Sequence, residues 1–273
     1  MRVVTLRIQA EVEHKLDELP RASHEAQAML RFGKLADRLR DALGLVRELD
    51  VWIVKLRRLR ESQSETADYV PRSTMETVRQ LTGLESRLTK KRQRAALKLV
   101  AEIEKRQENL MTASRDVEKA AGDSRQTVDD EQSATLLKEF AGITAEFPVL
   151  NEENLHDFRK RIKKIRYLAE IYRADPACGR IAAQMKKAQA AIGEWHDWQV
   201  LARTASRGKH AKNVEAGDLL SSLATEAFEA AIATCDGVMR RMADMGPGRE
   251  IGRALKAPVR SEATADLPAR KLA

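Results

Sequence analysis

Apolar residues recur along most of this chain every three or four positions, the spacing of helices that bury one face. Over residues 2–18, Val4, Ile8, Val12 and Leu16 follow at four-residue intervals and predict a first helix. Val4, Leu6, Ile8, Ala10 and Val12 also alternate, so a strand stays open there. A second helix is predicted from Ser23 to Leu43, with Gly44 as its C-cap or a kink. A third starts near Arg47, turns Leu49, Ile53, Leu56 and Leu59 inward, and dissolves in the polar stretch from Ser62 to Pro71. Ser73 to about Glu118 is helix-patterned, as two long helices or one bent pair. Its apolar stripes hold Val78, Leu81, Leu84 and Leu88, then Leu97, Val100, Ile103 and Leu110.

Ala120 to Ser133, with Gly122 and the acidic Asp129-Asp130-Glu131, reads as a linker, and residues 119–150 as the connection between a first half (1–118) and a second (151–243). The second half follows Pro148. It predicts an opening helix, an Ala-rich helix from Ile181 to Ile192, a segment starting at Trp195 and a long helix from Glu215 to Ala243. Residues 244–273, past little more than Gly246-Pro247-Gly248, lose apolar periodicity and read as a disordered basic tail. With aromatics at 4% and charged residues at 33%, the composition favours helix over strand, and an all-α protein is expected.

The two halves echo each other. Leu39 to Val51 aligns with Ala188 to Val200, setting Gly44 on Gly193, Glu48 on Asp197 and Val51 on Val200. Met1 to Ile8 lies over Phe158 to Ile165 at a similar offset. Two related helical bundles about a pseudo-twofold axis would explain both matches.

The chemistry concentrates in the opening helix of the second half. At about 100° per residue, His156, Arg159, Lys160, Lys163, Arg166 and Tyr167 share an arc roughly 120° wide, beside an arc of Phe158, Ile162, Ile165 and Ala169. No acid stands between Asp157 and Glu170, whereas solvated helix faces usually mix Glu with Lys. Such a face calls for an external counter-charge. Across the chain 49 Lys and Arg stand against 41 Asp and Glu, a net charge of +8 that suits a polyanionic partner: nucleic acid, polyphosphate or an acidic membrane. A second row, Arg87, Lys90, Lys91, Arg94 and Lys98, either lines the same groove or faces water. Cys178 and Cys235 have neither metal-site nor disulfide-framework spacing. Without a secretory pattern or a run of about 18 apolar residues, a soluble cytoplasmic protein without membrane insertion is expected.

His156-x-x-Arg159-x-x-x-Lys163-x-x-Arg166-Tyr167, Gly44-x-Val46-Arg47-Glu48-Leu49-Asp50-Val51 and Gly193-Glu-Trp195-His196-Asp197-Trp198-Gln-Val200 together resemble the CHAD family, the conserved histidine α-helical domain, over most of residues 1–243. The resemblance implies two four-helix bundles about a pseudo-twofold axis and a basic central groove that binds inorganic polyphosphate without catalysis, with targeting to polyphosphate granules as an expectation. On that basis His156, Arg159, Lys163, Arg166 and Tyr167 match the second basic helix, with Lys160 beside them on the same arc. Arg2 and Arg7 match the first basic helix, Arg47 the arginine after its glycine, and Lys186 a lysine leading to Gly193. His196 is expected as a groove donor or a residue bonded at the bundle junction. The family's first helix carries a His three residues before the position of Arg2, and cations where Leu6 and Gln9 stand. The expectation is therefore a start upstream of Met1 or a weakened first half.

Other residues offer rival chemistries. Glu11-Val-Glu13-His14-Lys15 fits the signature of triphosphate tunnel enzymes, but those need a many-stranded barrel and the residues that follow are helix-patterned. His156, His196, Asp197 and Asp218 could supply the ligands of a metal-dependent phosphohydrolase. Trp52, Trp195 and Trp198 could stack on bases in a nucleic-acid-binding adaptor, although aromatics at helix starts more often anchor cores. His14, His24 and His210 carry no visible geometry.

Overall fold

A computed structural model describes residue 20 and residues 23–64, 72–121, 131–206 and 214–245. The first predicted helix, with Arg2 and Arg7, and the basic tail from 246 onward lie outside these residues. Six helices make up the described chain, and it contains no strand: α1 His24–Ser64, α2 Arg72–Ala121, α3 Glu131–Glu146, α4 Leu155–Ile171, α5 Pro176–Ser206 and α6 Val214–Asp244.

Three of the expected boundaries are corrected. Helix α1 does not stop at Gly44 but runs 41 residues through it, because Met29, Phe32 and Ala36 before it and Val46, Leu49, Ile53 and Leu56 after it are each buried in an apolar cluster. Packing on both sides of the glycine outweighs the ~1 kcal/mol cost of a helical glycine. Likewise α2 is a single helix of 50 residues rather than two. Helix α5 passes through Gly193 and joins the Ala-rich stretch to the segment beginning at Trp195.

The connection expected over 119–150 contains an element of the fold. Helix α3 buries Leu136, Phe140 and Ile143, whose three- and four-residue spacing is that of a packed helical face. Conversely, Leu97 and Val100, expected inside, are 73% and 52% exposed, since the buried stripe of α2 leaves them on its outer side.

Three apolar clusters hold the helices together. The largest draws on α3, α4, the first half of α5 and the second half of α6, with Phe158, Ile162, Ile165, Met185 and Ile192 fully buried. A second draws on α1, α2, the end of α5 and the start of α6, through Leu49, Leu56, Leu81, Leu84, Leu201 and Leu220. A third, small one joins Met29, Phe32 and Ala36 of α1 to Ala113 of α2. Helices α5 and α6 thus belong to both larger cores, which ties the two ends of the molecule together.

Local hydrogen bonds set the helix starts. Ser23 Oγ accepts from the Ala26 N–H at 3.1 Å, capping α1. Asp175 accepts from the Ala177 N–H at 2.7 Å and places Pro176 in the first position of α5, where a missing N–H costs nothing. The buried side chain of Gln80 accepts from the Ala216 N–H at 3.0 Å and donates to Glu215 at 2.6 Å, binding α2 to the start of α6. Before α4, Asn151 Oδ1 accepts from the N–H groups of Glu153 and Asn154, both at 3.0 Å, while Asn154 Oδ1 accepts from the Asn151 N–H at 2.8 Å. This locked turn fixes where α4 begins and therefore where His156 sits.

Candidate polyanion site

Helices α4 and α5 run antiparallel, and their polar faces meet in register. Going up α4, His156 stacks on His196 with ring centroids 5.7 Å apart and planes 27° from parallel. One turn on, Arg159 Nη2 lies 3.7 Å from where a Cβ on Gly193 would stand. Two turns further, Arg166 donates to Gln189 at 2.9 Å. The buried arc of α4 makes this alignment: Phe158, Ile162 and Ile165 are anchored in the core, so the residues about 100° round must point along the α4–α5 seam.

Both histidines are held below the ordinary imidazole range. For His156 the largest cause is burial, followed by the positive charges of Lys160, His196 and Arg159. For His196 burial again leads, then Arg159, with Asp197 opposing and Arg203 adding to the depression. The pair is consequently neutral near pH 7, and each ring would become a cation if an anion supplied the missing counter-charge.

The remaining expected site residues divide into three groups. Arg159 and Lys163 are half-buried on the α4 face, and Lys186 is exposed on α5, one turn before Gln189 on the same side. Lys160 and Arg166 already meet acids at the ends of the row: Lys160 pairs with Asp157 at 2.9 Å and Arg166 with Glu170 at 2.8 Å. The arc is therefore partly neutralised by the two acids that flank it. Tyr167, expected on the ligand-facing arc, is only 7% exposed. Its ring lies beneath Lys163 and Arg166, at 5.9 and 5.4 Å from the ring centre, and supports those cations.

Arg47 is not part of this assembly. It is exposed on α1 and lines a cavity whose α5 wall is Glu194 and Trp198, about 160° around that helix from His196. Of the second cationic row, Lys90, Lys91, Arg94 and Lys98 are exposed on α2, while Arg87 is half-buried and burial lowers its guanidinium.

Two features were not visible in the sequence. Trp52 Nε1 donates to Asp197 Oδ1 at 3.0 Å, across 145 residues, and fixes α1 against α5 beside His196. Lys55 pairs with Glu194, lies 4.5 Å over the Trp198 ring, and shares that carboxylate with Trp198 Nε1 at 2.8 Å. Arg203, by contrast, is legible from spacing alone: it stands seven residues after His196, two turns along the same face, and contributes to that face's positive field.

These contacts bear on the rivals. Trp52 and Trp195 are buried and Lys55 covers Trp198, so none is an open stacking platform. Among the described residues no group of three or more His, Cys, Asp or Glu side chains could hold a metal ion, and Asp197 is occupied by Trp52. No helix among the described residues is long and apolar enough to cross a membrane.

No curated protein and no solved structure matches the chain. The family model described as CHAD domain matches residues 12–206, from the first predicted helix to the end of α5. With its paired histidines, the basic face of α4 and a match over most of its length, this chain belongs to the CHAD domain family.

Proposed function

We propose that the protein binds inorganic polyphosphate, without turning it over, along the α4–α5 seam. The observation that carries this reading is the stacked His156–His196 pair with Arg159 lying against Gly193. Polyphosphate carries about one charge per phosphate on a flexible chain, and Arg159 and Lys163, four residues apart on α4, with Lys186 on α5 supply donors to meet it. Gly193 leaves the space in which the Arg159 guanidinium can move onto a phosphate. The two larger apolar cores, each built from four helices, and the location of Gly44 and Gly193 inside long helices support two related bundles. On this reading the seam is one side of a basic groove between them. The same reading puts the protein in the cytoplasm, on polyphosphate granules.

The test is charge reversal. Arg159→Glu with Lys163→Glu should reduce polyphosphate affinity at least a hundredfold while leaving helicity unchanged, and wild-type protein with Mg²⁺ or Mn²⁺ should release no phosphate from the polymer. Unchanged affinity in the double variant would sink the site, and metal-dependent phosphate release would replace binding with hydrolysis.

A further inference from the structure

Asp197 stands where two faces of α5 meet. At about 100° per residue it lies roughly 40° round the helix from Gly193, towards the side that carries Glu194 and Trp198, and one turn further along. The Arg159 guanidinium rests against Gly193, its Nη2 3.7 Å from where a Cβ would stand. Residues four apart on a helix have Cβ atoms about 5–6 Å apart, so the Asp197 carboxylate is within a side chain's swing of Arg159. Its Oδ1 accepts from the Trp52 Nε1–H at 3.0 Å, on the α1 side, and among the described residues the carboxylate forms no ion pair.

Three other acids near the seam are each matched by a cation: Asp157 by Lys160, Glu170 by Arg166 and Glu194 by Lys55. Asp197 is held by a neutral indole, which fixes the carboxylate without cancelling its charge. Trp52 is almost wholly buried, so its N–H would lose its acceptor in a nearly dry setting if Asp197 turned away, and a partly exposed ion pair would not repay that loss. The other titratable and charged groups around His196 are His156 and Arg159 on α4 and Arg203 on α5.

We propose that Trp52 is a positioning residue for polyanion binding: it anchors the Asp197 carboxylate on the α1 side of α5 and so keeps the Arg159 guanidinium available to phosphate. This role rests on the reading of the seam as the polyphosphate site. Through it α1 acts on the seam without touching the ligand.

A charge cycle on the full chain tests it: Trp52→Phe, Asp197→Asn and the double variant, compared in polyphosphate titrations and, without polymer, in NMR titrations of the His196 ring. Asp197→Asn keeps an oxygen for the indole and removes the charge. Trp52→Phe should weaken polyphosphate binding about fivefold, the loss of roughly one phosphate contact, and raise the His196 midpoint as the freed carboxylate turns into the seam. In the Asp197→Asn background Trp52→Phe should do neither, and Asp197→Asn alone should strengthen binding by no more than about twofold. Equal effects of Trp52→Phe in both backgrounds would make Trp52 a packing residue only and overturn the proposal. So would a gain of about fivefold from Asp197→Asn alone, because the carboxylate would then already compete for Arg159 in the native protein; that result does not need Trp52→Phe to fold. Absence of wild-type binding would overturn the seam reading, whereas a His196 midpoint that Trp52→Phe leaves unmoved would overturn the role of Trp52 alone.

Discussion

Replacing His156 and His196 together by Gln should remove most of the pH dependence of polyanion binding. In the ligand-free protein both imidazoles are held neutral, first by burial and then by surrounding positive charge. Their ring centres are 5.7 Å apart. Two unit charges at that separation repel by about 0.7 kcal/mol in a water-like dielectric and about 3 kcal/mol at an effective dielectric of 20. The half-buried setting lies between these limits, and a polyanion along the seam opposes the repulsion. Binding should therefore draw protons onto the pair, up to two per complex, and tighten as pH falls from 8 towards 5.5. Each unit by which a pKa rises on binding is worth ~1.4 kcal/mol, a tenfold gain in affinity at low pH.

The stability of the ligand-free protein should move the opposite way. Because the folded-state pKa values lie below the unfolded value of ~6.5, the contribution of neutral histidines is present above that pH and is lost as pH falls through the folded values. Calorimetry of polyphosphate binding at pH 6.0 and 7.5, in buffers of different ionisation enthalpy, counts the protons taken up. Zero uptake in the wild type, or the same uptake in His156→Gln/His196→Gln, would refute the reasoning.

Three further outcomes are expected. Gly193→Ala puts its Cβ at an ordinary 3.7 Å from Arg159, so it should raise stability by about 0.5–1 kcal/mol and spare binding, whereas Gly193→Leu should push Arg159 aside and cost about tenfold in affinity; denaturation and titration of the two variants check this. Trp52→Phe removes the indole bond to Asp197 and should cost about 1.5–3 kcal/mol in urea unfolding. Cys178 and Cys235, both buried with thiols pushed up to about 12, should ignore a thiol reagent at pH 8 until the protein is denatured.

The sequence revealed the buried face of α4 and of much of α1, but not the outer side of α2, where Leu97 and Val100 are exposed, nor the partners across the fold. Helix α4 was readable because its cations and its apolar residues occupy separate arcs, and Phe158, Ile162 and Ile165 are indeed fully buried. The pairing of Arg166 with Glu170 follows from their four-residue spacing. Trp52 with Asp197 and Lys55 with Glu194 lie 145 and 139 residues apart, and no local pattern announces them. Helix α3 was hidden by the acidic, glycine-containing stretch before it, although Leu136, Phe140 and Ile143 carried a helical period. Gly44 misled for a related reason: a glycine ends a helix only where the following residues have no buried stripe to continue, and here Val46 and Leu49 continue it. The same limit applies to Arg47, which the resemblance matched to the arginine after the glycine of the first half and so to the groove. Its position on α1 sends it to the cavity on the far side of α5.

The central claim is tested most directly by calorimetric titration of the whole chain with long-chain polyphosphate at two salt concentrations, beside heparin and single-stranded DNA at equal charge concentration. Tighter binding of polyphosphate than of either control, weakening steeply with salt as counterion release requires, is the predicted result. Equal, weak binding of all three polymers would contradict it and reduce the α4–α5 seam to a generic basic surface.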